Sequence, residues 1–360
     1  MTSSFWSSFF AVAAWGLGSA WAQAGETNCG NTALPRTSFV QFTSPNIATS
    51  PPSLLTIKGK LTLPQQRDHR SGCTSANGRK LPAVVILHGS AGVDSRGDFH
   101  EAALNAAGIA TLQIDMWEAR GLGGGAGRPA APILTIPDAY SALAFLAARA
   151  EIDAARIGVL GFSWGGVNTL ATADRLYVGM FGGGRQFKAH VAHYPVCYGA
   201  NAVIPGLPPP AQFGTQVLNL TGAPVLIQLG SEDGYDNGAA PCLALAQAVN
   251  PANTVEVVEY SGAEHAFDRL MVPIVVSDPF GNQGSYFATG IVPQVTLAPD
   301  VAQAYAARDR VVRFFRRNLS KARVAPKTEM GSNRSLLECR GLSIGSRRRS
   351  SAQSERRQTV

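Results

Sequence analysis

Apolar and polar residues alternate along Leu55-Thr-Ile-Lys-Gly-Lys-Leu-Thr-Leu63, the period-two pattern of a strand with one covered face and one wet face. Residues 37–43 are expected to be its antiparallel partner. Pro82-Ala-Val-Val-Ile-Leu87 has no polar position, as a strand buried on both faces of a parallel sheet requires. Downstream the period switches repeatedly. A helix is predicted near 96–107, closed by Gly108, and then a strand from Ile109 to Asp115. Pro137 opens a helix with Tyr140, Leu143, Ala144 and Ala147 on one face. Further strands are predicted at Ile157–Leu160, Phe187–Tyr194, Pro224–Leu229 and Thr254–Tyr260, with a helix over 240–249 before the last. A closing helix starts at Pro299-Asp300 and runs to about Arg317, with Val301, Ala304, Tyr305, Val312 and Phe315 expected on its buried stripe. Strands alternating with helices predict an α/β architecture, a doubly wound and mostly parallel sheet flanked by helices.

The run Ile157–Leu160 ends in Gly161-Phe162-Ser163-Trp164-Gly165, and a helix reaching about Asp174 follows. A Gly-x-Ser-x-Gly turn between strand and helix pushes its serine oxygen out at a strained backbone position, with small residues wherever neighbouring backbone comes close. Ser163 is therefore the candidate nucleophile. The backbone N–H of Trp164, at the helix N-terminus, points to where an oxyanion would form. A second N–H donor is expected from the loop after strand 82–87, at Ser90 or Ala91.

A serine hydroxyl needs a base within hydrogen-bond reach and a carboxylate to fix that base's tautomer. In sheets of this type the chain order is serine, acid, histidine. Strand 224–229 runs into Gly230-Ser-Glu-Asp233-Gly-Tyr-Asp236, so Asp233 is the first candidate acid, ahead of Asp236 and Glu232. His69, His88, His100 and His190 precede Ser163 or follow it too closely, and His193 falls on or just past the next strand. Only His265 sits in a loop after the last strand, which makes it the candidate base. His88 is assigned a structural task within its turn.

Composition narrows the picture further. The chain has 360 residues, 45% hydrophobic and 15% charged, enough for one sizeable core. Its net charge of +7 lies in residues 320–360, where ten Lys or Arg face three Glu, so the rest sums to zero and gives no nucleic-acid signal. That tail is read as disordered. Residues 1–24 carry no charged side chain and end in small residues at Ala22 and Ala24, which predicts a cleaved export signal rather than a membrane span. The folded domain is then 25–319. In an oxidising compartment the five cysteines predict Cys197–Cys242 as a disulfide, with Cys29–Cys73 as the other pair and Cys339 unpaired. None has the paired spacing of a zinc site. The Gly-rich loop 118–136 lacks the spacing of a phosphate cradle and is read as a mobile rim loop. Arg96, Arg120 and Arg128 are candidates for holding a substrate carboxylate, with surface arginines as the simpler reading.

Taken in order, His88-Gly89, Glu151-Ile-Asp-Ala-Ala-Arg156, Gly161-Phe-Ser-Trp-Gly-Gly166, Gly230-Ser-Glu-Asp233 and Glu264-His-Ala-Phe267 resemble the α/β-hydrolase superfamily, and within it the dienelactone hydrolase family. The resemblance spans roughly residues 50–319. It implies a site at the carboxyl edge of the sheet, a small-molecule ester or lactone substrate, and neither metal nor organic cofactor. The founding members use a cysteine nucleophile. Ser163 in that position shifts the expected chemistry from dienelactone towards serine-esterase hydrolysis. The segment 269–298 is an unusual insertion, expected to shape the pocket together with loop 118–136. An acyltransferase using the same three side chains, or a non-catalytic binding protein on the same fold, are the other two readings.

Overall fold

The computed structural model describes residues 35–65, 80–201, 217, 219–249 and 255–320. The leader 1–24, Cys29, Cys73, Cys339, His69 and nearly all of the basic tail lie outside the described residues. Eight strands form the main sheet: β1 (Arg36–Asn46), β2 (Ser53–Leu63), β3 (Leu81–Leu87), β4 (Ala110–Asp115), β5 (Ile152–Phe162), β6 (His190–His193), β7 (Val225–Gly230) and β8 (Val255–Tyr260). Their order is β1-β2-β4-β3-β5-β6-β7-β8. The pairs β1–β2 and β2–β4 are antiparallel, and every other pair is parallel. The fold is that of an α/β-hydrolase.

The unbroken apolar strands are covered on both faces. In β3, Val84 and Ile86 enter one core cluster, while Ala83, Val85 and Leu87 enter the other. β5 repeats the division, with Leu160 and Phe162 on the first side and Ile157 and Val159 on the second. Helices α1 (Ser95–Ala106), α2 (Ile136–Ala147), α3 (Trp164–Thr172), α4 (Arg175–Phe181), α5 (Tyr198–Asn201) and α6 (Ala240–Ala248) connect the strands. Asp94 caps α1 by accepting from the Arg96 N–H at 3.1 Å, Pro137 opens α2, and Gly108 at φ 80° turns the chain after α1. The insertion after β8 folds as the two-stranded β9 (Ile274–Ser277) and β10 (Gln294–Leu297). Between them lie α7 (Gly281–Gly284), a turn that is left-handed at Asn282 and Gln283, and the single helical turn α8 (Tyr286–Thr289). The closing helix α9 (Val301–Asn318) is capped by Asp300.

Two expectations are corrected. The buried stripe of α9 is Ala304, Ala307, Val311, Phe314 and Phe315, whereas Val301 and Tyr305 are exposed and Val312 only partly buried. Tyr305 stays at the surface because its ring packs edge-on against Phe99, under the Arg308 guanidinium. The strand expected over 187–194 shortens to β6: its pairing with Val159 and Val225 begins only at His190, and it stops before Tyr194, which leaves the extended region at φ 35°. That early exit frees the chain to turn beneath the site.

The turn after β5 depends on two glycines. A Cβ on Gly161 would lie 2.0 Å from the Gly165 carbonyl oxygen, and one on Gly165 would lie 2.3 Å from that of Leu87. Both neighbours are backbone and cannot yield. Gly161→Ala is expected to lower stability by about 1–3 kcal/mol or more, read as a reduced urea midpoint at unchanged slope. A midpoint equal to wild type would contradict this packing.

Candidate active site

β5 delivers Ser163 at the carboxyl edge of the sheet with φ 51° and ψ −109°. The Ser163 N–H donates to the His193 carbonyl at 2.9 Å, and its carbonyl accepts from the Val167 N–H at 2.8 Å. The residue is thereby tied to both β6 and α3. Its side chain comes out beside His265, whose Nε2 lies 3.0 Å from Ser163 Oγ. On the other side of the ring, Nδ1 lies 3.0 and 2.9 Å from the two Asp233 oxygens. The Nδ1–H donates to the carboxylate, so Nε2 is left as an acceptor facing the serine hydroxyl. All three side chains are buried.

The loops that bring them together follow β7 and β8. Asp233 lies three residues beyond β7, with the Tyr235 N–H donating to its Oδ1 at 2.9 Å. His265 is set between two aromatic rings, Tyr194 with centroids 4.6 Å apart and Tyr235 at 4.3 Å. Asp236 does something else: its oxygens accept from the Cys197 and Tyr198 N–H groups at 2.7 and 2.8 Å, pinning the turn into α5. Glu232 is exposed. Cys197 and Cys242 form a disulfide.

Ser90 and Ala91 sit in the tight turn after β3, and both line the cavity that contains Ser163. His88 holds that turn. Its Nδ1–H donates to the Gly89 carbonyl at 2.8 Å, and its Nε2 accepts from the Met116 N–H at 2.9 Å. The Gly-rich loop is fastened here rather than free: the Gly125 N–H donates to the Ser90 carbonyl at 2.7 Å. The loop contributes Gly125, Ala126, Arg128, Pro129 and Ala130 to the cavity, and the insertion contributes Ile274, Val276 and Phe280.

The arginines are not surface residues. Arg96 is buried against Asp94 at 2.6 Å, Arg120 pairs with Asp138 at 2.7 Å, and Arg128 forks onto both Asp278 oxygens at 2.9 Å each. Each aspartate supplies charge and paired acceptors that water would otherwise provide.

A second polar group lies under the site, which the sequence did not single out. Asp268, fully buried, accepts from Tyr194 OH at 2.5 Å and His100 Nε2 at 2.9 Å, and lies 3.0 Å from His193 Nδ1. Gln228 donates to His193 Nε2 at 2.9 Å and accepts from Tyr260 OH at 2.5 Å. The two histidines beside it hold the Asp268 carboxyl well below the usual range despite its burial. Two buried sets contain three metal-ligand side chains each, His100 with His193 and Asp268, and Cys197 with Asp236 and Cys242. The first is already joined by hydrogen bonds, and in the second the disulfide leaves no thiolate to bind metal.

The model of the dienelactone hydrolase family matches residues 72–277, a segment that contains Ser163, Asp233 and His265. The chain belongs to the dienelactone hydrolase family. This makes it a carboxylic ester hydrolase. Solved structures agree on the fold of this dienelactone hydrolase family member. A Klebsiella pneumoniae protein described as a dienelactone hydrolase is 19% identical, with a TM-score of 0.50, over 78% of this chain and 98% of that one. An esterase of Pyrobaculum calidifontis is 18% identical, with a TM-score of 0.51, over 80% and 86%. An α/β-hydrolase enzyme from a Medee basin deep-sea metagenome library is 16% identical, with a TM-score of 0.50, over 79% and 98%. No curated protein matches in sequence. Among the described residues no helix is long and apolar enough to cross a membrane.

Burial of histidines in this hydrolase has a measurable consequence. His88, His100 and His190 are each pushed down to about 4 by desolvation, from an ordinary value of 6.5. Below pH 6.5 the unfolded chain binds protons that the folded chain refuses, so their contribution is complete above about 6.5 and is lost towards 4. Asp236, pushed up to about 7 by burial and by the nearby Asp233, acts in the opposite sense. Asp138 and Glu264, raised by burial, act with Asp236. Asp268 and Glu151, held down, act with the histidines, whose three large shifts set the sign. The urea midpoint is expected to fall from pH 7 to 4.5, and a constant or rising midpoint would contradict this balance.

Proposed function

We propose that this chain is a serine hydrolase that cleaves a small carboxylic ester or lactone through an acyl-enzyme. The observation that carries the reading is the continuous hydrogen-bonded chain from Asp233 through His265 to Ser163 Oγ, at 2.9 and 3.0 Å. Ser163 Oγ attacks the ester carbonyl carbon as its proton moves to His265 Nε2. Asp233 keeps the proton on Nδ1 and stabilises the imidazolium that forms. The N–H of Trp164, with that of Ser90 or Ala91, stabilises the oxyanion of the tetrahedral intermediate. Collapse of the intermediate breaks the bond to the leaving oxygen, which takes the proton from Nε2. A water molecule then repeats the sequence on the acyl-serine and releases the acid.

The protein acts outside the cytoplasm in this reading. The uncharged leader 1–24 and the Cys197–Cys242 disulfide support it, since such crosslinks persist in oxidising compartments.

Ser163→Ala is expected to lower kcat for p-nitrophenyl acetate by roughly 10³-fold or more. Asp233→Asn, which presents the wrong partner to Nδ1, is expected to cost roughly 10⁴-fold. Wild-type turnover by Ser163→Ala would overturn the mechanism, and wild-type turnover by Asp233→Asn would remove Asp233 from it.

A further inference from the structure

Two cavities meet at Ser163. The narrower, of about 40 Å³, is walled by Pro132, Trp164, Val167 and Val196, residues that do not line the other. The wider, of about 420 Å³, is the one that His265 lines, together with Arg96 and Arg269. Between them stands a partition of Arg128, Asp278, Tyr235 and Phe280, which faces both.

The position of His265 sorts the two halves of an ester. The leaving oxygen must take its proton from His265 Nε2, so the alcohol portion has to lie in the cavity that this ring lines. The acyl portion is left with the narrow cavity. Its walls are apolar apart from the partition, and the partition carries compensated charge. Arg128 spends its fork on Asp278, while Tyr235 OH donates to Asp278 Oδ2 at 2.9 Å and the Phe280 N–H donates to Oδ1 at 3.0 Å. A third contact, from Arg128 to the Gly125 carbonyl at 3.4 Å, occupies the guanidinium further. A carboxylate entering here would find a cation already neutralised and would face the Asp278 charge.

Resting on the serine-hydrolase reading above, we infer that the enzyme selects esters of short, uncharged acyl groups, held in the narrow cavity, and that the Arg128–Asp278 pair excludes anionic acyl chains. Val167 and Val196 set the length limit, and the wider cavity leaves the alcohol less restricted. Asp278 is a specificity determinant, because it cancels the only arginine among the described residues that line the narrow cavity.

The test uses the full chain and four p-nitrophenyl esters with one common leaving group: acetate, butanoate, octanoate and hydrogen succinate. Wild type is expected to show kcat/KM for butanoate at least about tenfold above both octanoate and hydrogen succinate. Asp278→Asn leaves Arg128 uncompensated, and the succinate-to-butanoate ratio should rise about tenfold or more. Val167→Ala deepens the cavity and should raise the octanoate-to-butanoate ratio, and an unchanged ratio would contradict Val167 as the length limit. Octanoate or succinate turned over by wild type as fast as butanoate would overturn the inference. So would an unchanged succinate-to-butanoate ratio in Asp278→Asn. A flat acyl profile whose turnover still requires Ser163 would sink the acyl assignment alone, whereas no Ser163-dependent turnover of any ester would sink the hydrolase reading with it.

Discussion

Ser163 holds a backbone conformation that an L-residue avoids, φ 51° with ψ −109°, and the surrounding sheet is built to keep it there. Conformations of this kind cost about 1–3 kcal/mol and persist only where neighbouring structure over-determines them. Here the constraint comes from close backbone approach. Gly165 sits against the Leu87 and His88 carbonyls of the adjacent strand end, and Gly161 sits against Gly165 itself. Hydrogen bonds from Ser163 to His193 and from Val167 to Ser163 lock the two sides of the turn. The hydroxyl then stands clear of the sheet, at the N-terminus of α3, where a developing negative charge is favoured.

The partners of Ser163 come from loops, which by themselves would be poor platforms for a fixed geometry. Buried polar groups make them rigid. Asp268, three residues after His265, collects Tyr194 and His100 and lies against His193, so the loop that carries His265 is bonded to α1 and to the end of β6. Asp236, three residues after Asp233, holds the turn into α5 in the same manner. Each loop therefore carries one side chain of the Ser163 set, Asp233 or His265, and three residues later an aspartate that anchors it. A network of this kind is stabilising where donors and acceptors alternate, as they do from Tyr260 OH to Gln228, from Gln228 to His193 Nε2, and from Tyr194 and His100 to Asp268.

Much of this was legible in the residues before any coordinates. Runs such as Ala83–Leu87 and Val225–Ile227 are apolar because both faces are covered, so their place within a parallel sheet follows from physics alone. Ser163, Asp233 and His265 could be nominated because the strand-turn-helix signal and the chain order restrict the choice to a few positions. Asp268 and Asp278 could not. Their meaning depends on partners from distant parts of the chain, His100 and His193 for one and Arg128 for the other, and no local pattern encodes that pairing. The arginines were misplaced at the surface for the same reason, since a charge reads as exposed until its buried counter-charge is known. The stripe of α9 was legible at Ala304 and Phe315 but not at Ala307, Val311 and Phe314, because Tyr305, expected inside, finds its packing at the surface.

The account stands on one claim, that His265 makes the Ser163 hydroxyl reactive. A fluorophosphonate probe followed by peptide mass spectrometry addresses it directly. The expected result is a single phosphonyl adduct on the peptide containing Ser163, formed rapidly by wild type and at a rate lower by orders of magnitude in His265→Ala. An adduct on another residue, or labelling of Ser163 at the same rate without the imidazole, would contradict it.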